Sequence, residues 1–416
     1  MQPTRRSLLA GLATAPALLR TSTAGAETPA ATAAEVCTAV DPGGLVIDWR
    51  GVHQAGIVTR QPSHGLFVAF DLLVPDRPGL ESLLRLLSER ISVLTGTDPI
   101  QQAEAGLMPP PESGLMGAHR VGQALTIMLS LGASTFADAR YGLAEQTPAE
   151  LITMERFPND AIDPSMAHGD VMLQICAATT EATIYALRDI IRQTSAFMAP
   201  RWQITGFLPP RPMAPAEVTP RNMLGFKDGT ANLKASDAVL MDRHVWVQPG
   251  AKGEPGWTAG GSYQVVRLIR NFVERWDRTQ LAGQEAIIGR HKLSGAPLGL
   301  TGEADVPDFA SPAMPANAHI RLANPRTPAT EANLILRRGF NYSLGLDRAG
   351  RMNMGLIFCS YQASLNDGFR TVQARLNSEP LEEYIKPFGG GYFFALPGVT
   401  SADGFLGAGL LHPDVP

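Results

Sequence analysis

The chain predicts an α+β architecture built twice over, each copy an antiparallel sheet with helices packed on one side. Three observations carry this expectation. Apolar strand-like runs are followed by helical periodicity twice before residue 208, and the same order returns after residue 223. Between the two stand Pro209, Pro210, Pro212, Pro215 and Pro220, which can sustain neither a helix nor a central strand. The repeat is far too long for a solenoid. With 416 residues, 44% hydrophobic and 18% charged, the chain can bury a large core in one or two domains. Its 35 basic and 39 acidic residues leave a net charge of −4 without a basic block, which argues against a nucleic-acid partner held through phosphates. Cys37, Cys176 and Cys359 are too few and too scattered for a disulfide framework or a zinc site, and no Cys-x-x-Cys-His tethers a haem covalently.

Taken in order, residues 1–26 contain no acid, open with Arg5-Arg6, and run through apolar Leu8 to Leu19 to Ala24-Gly25-Ala26. This reads as a twin-arginine export signal cleaved near Ala26, and so predicts a periplasmic protein. Gly11 and Pro16 interrupt the apolar run, which is shorter than the roughly 20 residues that span a bilayer. Because the twin-arginine route carries folded proteins, a tightly bound, non-covalent cofactor is expected. Residues 27–55 form a flexible N-terminal segment.

In residues 56–208, the first domain, Gly65 to Asp71 reads as a strand. A turn follows at Pro75 to Gly79, then a helix with Leu80, Leu83, Leu84, Leu87 and Ile91 on one face. Val171 to Cys176 is a second strand, followed by a helix whose Ile184, Leu187 and Ile191 share a face. Residues 209–222 are the linker. In residues 223–416, the second domain, the strand Tyr263 to Ile269 leads into a helical stretch from Phe272 to Ile288. The strand Met354 to Cys359 leads into a helix with Phe369, Val372 and Leu376 in register. Cys176 and Cys359 end corresponding strands and read as small core residues; equivalent positions in two halves are not expected to face one another.

Three places offer chemistry. His319 lies between a Pro/Ala-rich loop and a turn, where a neutral imidazole can ligate iron through one nitrogen while the other donates to an acceptor. Its chief rival is His168, although a turn-and-cap role beside a strand suits His168-Gly169-Asp170 better. In Gly225-Phe226-Lys227-Asp228-Gly229, two glycines permit positive φ and close approach of a flat ligand, leaving Asp228 to project from a tight turn. Arg337 and Arg338 end an apolar run; alternation sends them to opposite faces, one into the protein and one to solvent.

Together, the Gly-x-x-Asp-Gly turn, His319-Ile320-Arg321 with Asn324-Pro325-Arg326, and an arginine 18 residues beyond the histidine resemble the dye-decolourising peroxidase family. The likeness extends through Phe157-Pro158-Asn159-Asp160, His168-Gly169-Asp170, Gly256 to Tyr263, and Gly389 to Phe394, in the family's order. Leu336 to Gly345 and the export signal make the chain most similar to an exported deferrochelatase/peroxidase branch of bacterial iron uptake.

The resemblance implies two ferredoxin-like domains with haem b held non-covalently in the second. His319 would be the proximal iron ligand, Asp228 the distal acid/base and Arg337 the distal arginine. Gly225, Phe226 and Gly229 would border the haem, and Lys227 and Arg326 would meet its propionates. Glu379, Glu382 and Glu383 are alternative acceptors for the second N–H of His319. Some relatives carry an asparagine two residues after the distal arginine, where this chain has Gly339. The implied activity reduces hydrogen peroxide at the expense of an organic donor and removes iron from haem, with components of an iron-permease system as partners. A homodimer or higher oligomer is expected. The reading from a different class is a non-catalytic haem or iron carrier, which would not need an aspartate above an open coordination site.

Overall fold

The computed structural model describes residues 45–97, 110–117, 121–209 and 219–413. The export segment 1–26, residues 27–44 of the N-terminal segment, Cys37 and the linker prolines within 210–218 lie outside the described residues.

Each half runs strand, helical segment, two strands, helix, strand, with β6 and β7 of the second half counting as one interrupted strand along β8. The first comprises β1 (His64–Leu72), helix Arg77–Thr95, β2 (Thr126–Gly132), β3 (Val171–Ala177), helix Thr180–Thr194 and β4 (Met198–Phe207). The second starts with β5 (Ser262–Asn271) and the short helices Val273–Trp276, Leu281–Ile288 and His319–Ala323. It continues with β6 (Leu336–Arg337), β7 (Phe340–Leu346), β8 (Met352–Gln362), helix Thr371–Leu376 and β9 (Ile385–Ala395). In space the orders are β2-β3-β1-β4 and β7-β8-β5-β9, the same antiparallel arrangement twice. This is the duplicated ferredoxin-like fold.

The two sheets do not stand apart. β2 pairs with β9 and β4 with β7, so the strand ring closes from β5 through β9, β2, β3, β1, β4, β7 and β8 back to β5. Closure gives each alternating strand an inner and an outer row. Phe67 and Ala69 of β1, Met172 and Cys176 of β3, and Ile357, Cys359 and Tyr361 of β8 fill the barrel. Leu66, Val68 and Phe70, with Val171, Leu173 and Ile175, face out under the helices. Cys176 and Cys359 are buried and free as expected, but the expectation that they would not meet overlooked the closed ring: both enter one interior.

Helix Arg77–Thr95 begins where the sequence indicates. Asp76 accepts a hydrogen bond from the Gly79 N–H at 2.9 Å, Pro78 sits in the first turn, and Leu80, Leu83, Leu84, Leu87 and Ile91 are buried. In helix Thr180–Thr194 the buried face includes Ala182, Ala186, Leu187 and Ile190; of the expected stripe Leu187 is buried and Ile191 packs against the core, while Ile184 is exposed. The Phe272–Ile288 stretch is two helices, broken at Asp277 to Gln280. His168 adopts the turn role: at φ +60° its N–H donates to the Gly390 carbonyl and its own carbonyl accepts from the Trp202 indole at 2.7 Å. The halves are also pinned by Arg267 and Asp160, an ion pair at 2.5 Å with side chains only 2% and 0% exposed.

Candidate functional site

Asp228 leaves the barrel's outer surface on the turn predicted for it. Gly225 and Gly229 take φ of +85° and +129°, and the Asp228 N–H donates to the Pro220 carbonyl at 2.8 Å. A Cβ on Gly225 would stand 2.7 Å from the end of the Lys292 side chain, which can move aside, so it is φ that demands glycine there. Arg337 arrives from β6. Its backbone N–H and carbonyl are both held by the Asn232 amide, at 2.8 and 2.7 Å, which fixes the strand end. The Arg337 Nη1 then donates to Asp228 Oδ1 at 2.6 Å, and Asn222 Nδ2 reaches Oδ2 at 3.4 Å. Both partners remain partly exposed, at 34% and 27%. This is an open ion pair, unlike Arg267 with Asp160.

β6 and β7 keep one register along β8, from Leu336 opposite Tyr361 to Ser343 opposite Met354. Alternation therefore sends Arg337 out to the site and Arg338 into the barrel, as the opposite-face expectation requires.

His319 opens the short helix His319–Ala323. Its Nδ1–H donates to Glu379, 2.8 Å from Oε2 and 3.1 Å from Oε1, which selects Glu379 from the three carboxylates offered by the sequence. Glu379 is buried, so the bond is shielded from water. Burial alone would push the His319 pKa down; the charge and hydrogen bond of Glu379, helped by the charge of Asp228 and opposed by Arg337, raise it on balance. The charges of Asp228 and Arg337 both bear on this imidazole, so the pair lies within electrostatic reach of the histidine. With Nδ1 committed, Nε2 is the nitrogen left to a metal, the donor set that a haem iron requires.

The other predicted residues are placed less directly. Phe226 is buried against Trp276, 6.0 Å between ring centres, and supports the turn from behind. Lys227 is paired with Glu303, which also accepts from Thr219 at 2.5 Å and Thr230 at 2.9 Å. That bond makes it a brace of the Gly225–Gly229 turn more than a free cation. Arg326 is exposed, with φ +57°. Arg290 carried no signal in the sequence: it is buried, donates to the Gly295 and Glu303 carbonyls at 2.6 and 3.1 Å, and feels the charges of Arg326 and Arg337. Arg326 and Arg337 thus lie within electrostatic reach of Arg290, a local excess of positive charge that Glu303 partly offsets and that would suit a ligand with carboxylates. Asn222 and Asn232 were also unmarked as site residues, although Asn232 closes the glycine-flanked run.

Comparison with known proteins identifies the family. Residues 54–208 match the model of the family described as Dyp-type peroxidase, N-terminal, and residues 219–400 match Dyp-type peroxidase, C-terminal. The chain is 51% identical over 367 residues to a deferrochelatase of Escherichia coli O6:K15:H31, covering 87% of this chain and 86% of the relative. A deferrochelatase of Shigella flexneri serotype 5b is 47% identical over 423 residues, covering 99% and 97%. Among solved structures, an oxyferrous complex of DtpA from Streptomyces lividans superposes with a TM-score of 0.81 at 31% identity, covering 90% of this chain and all of that one.

Proposed function

The chain belongs to the Dyp-type peroxidase family and is a haem-dependent enzyme; on that premise we propose that it is an exported haem b peroxidase. It would reduce hydrogen peroxide, oxidise organic donors, and also release iron from haem with the protoporphyrin intact, in bacterial iron uptake. The observation that carries the reading is a histidine supported by a buried carboxylate, His319 with Glu379, within electrostatic reach of the open Asp228–Arg337 pair.

His319 would hold the iron through Nε2, with Glu379 fixing the tautomer and making the imidazole a stronger donor. Arg290, Arg326 and Arg337 would draw in the propionates, and no covalent tether is needed. When bound, the haem supplies the iron that takes up peroxide and the oxidising equivalents passed to a donor. The protein's own part is proton movement. Asp228, paired with Arg337, would accept the proton of the nearer peroxide oxygen and deliver it to the departing one, while Arg337 would balance the negative charge on that oxygen. Since Arg337 occupies Asp228 Oδ1, one carboxylate oxygen is engaged at rest and Oδ2, held only weakly by Asn222, is the one free to work. A passive carrier has no use for this pair.

The test is to incubate the purified protein with haem, without peroxide, and follow metal-free protoporphyrin fluorescence against His319→Ala. A rise in wild type alone establishes iron release; a flat trace with a stable Soret band restricts the activity to peroxidation.

A further inference from the structure

The arginine beside the site points the other way, and its surroundings are unusual. Arg338 is 5% exposed inside the barrel, and only its Nη1 has a partner, the Thr59 carbonyl at 2.6 Å; Nε and Nη2 have none. Among the described residues no carboxylate pairs with it, and the titratable groups that act on its charge are Cys176, Tyr361 and Cys359. None of these supplies an anion at neutral pH, because burial pushes the Cys176 thiol up to about 11, the Cys359 thiol up to about 12 and the Tyr361 phenol well above its usual value. The same interior contains a second unfilled donor. Gln174 spends its Oε1 on Tyr361 at 2.7 Å and Cys359 at 3.4 Å, leaving Nε2 without an acceptor.

A guanidinium stays protonated at any physiological pH, and a buried charge without a counter-charge is strongly unfavourable. Arg267, the other deeply buried arginine of the barrel wall, shows the usual remedy in its pairing with Asp160. We propose that the barrel interior binds one small inorganic monovalent anion, of chloride size, on Arg338 Nε and Nη2, with Gln174 Nε2 as the further donor. One uncompensated cation calls for one negative charge. The closed ring of strands and its rows of Phe67, Met172, Phe340 and Ile357 exclude anything bulky. The anion would serve the site at one remove, since Arg338 is the next residue after Arg337 and its own N–H donates to the Cys359 carbonyl at 2.8 Å. Holding Arg338 steadies the strand that presents Arg337.

The test uses the haem-loaded protein in two arms. Crystals soaked in sodium bromide should show an anomalous bromine peak against the Arg338 guanidinium. Thermal unfolding in sodium chloride should come about 2 °C higher than in sodium gluconate at equal ionic strength. Arg338→Met should abolish both effects; it is expected to fold, because a buried charge exchanged for a hydrophobe of similar size is commonly tolerated. If that variant fails to fold, the bromide arm on the unaltered protein still decides. No peak at Arg338, together with a midpoint indifferent to the anion, would overturn the proposal and leave internal water as the partner.

Discussion

The two halves share a topology and differ in what covers it. The first lays helices of 19 and 15 residues over its outer sheet face and buries Leu83, Leu84 and Leu87 there. The second covers the equivalent face with helices of 4, 8, 5 and 6 residues and the loops between them. Their ion pairs differ in the same sense. Arg267–Asp160, which joins the halves, is sealed, whereas Arg337–Asp228 is about a third exposed. Long amphipathic helices turn a sheet face into core. Short ones leave polar groups that a ligand, instead of the fold, completes.

That contrast can be broken or sharpened experimentally. The largest expected effect is in the open half: Asp228→Asn should lower peroxide-dependent turnover by about 10²–10⁴-fold while leaving haem spectra and unfolding unchanged. Unchanged turnover in a steady-state assay would remove Asp228 from the chemistry. In the sealed pair, Asp160→Ala should cost about 3–5 kcal/mol in denaturant unfolding, because it strands a buried guanidinium. Leu83→Ala, on the buried face of the long helix of the first half, should cost about 2–5 kcal/mol with normal turnover per folded molecule. A site variant that matched these losses would erase the distinction between the halves.

A smaller effect separates the halves by pH. The His319 pKa is raised above the usual 6.5, so in the haem-free protein its pairing with Glu379 stabilises fully below that value and the contribution is lost as pH rises through the raised one. Iron binding needs the neutral imidazole, so haem affinity measured by Soret titration should increase with pH across this window. Glu379→Gln should move the increase to lower pH. The smallest effect is Gly225→Ala, which forces a Cβ into φ +85° and should cost about 1–2 kcal/mol by thermal unfolding.

Local pattern made part of this legible. Helix Arg77–Thr95, with its Asp76 cap, and the turn carrying Asp228 are written in spacing and in glycine. Opposite faces for Arg337 and Arg338 follow from strand alternation, but which face is barrel does not, because ring closure depends on β2 meeting β9 and β4 meeting β7 from far apart in sequence. β2 is harder to read: it is buried along its whole length, and Met128 between Thr126 and Ser130 blurs the alternation. Glu379 could be separated from Glu382 and Glu383 only once tertiary structure set its carboxylate on His319, 60 residues away. Arg290 stands beside the site through packing alone.

The closed ring also bears on how the chain is made. β9 bonds to β5 on one side and β2 on the other, so a ribosome that has not yet released Ile385–Ala395 holds a barrel with a missing stave. Until then β2 and β5 each expose an unpaired edge, the template on which nascent chains stick to one another. A message truncated shortly before this strand would therefore yield an aggregating fragment in place of a weakened enzyme, and the final stretch of translation is when a chaperone has most to do.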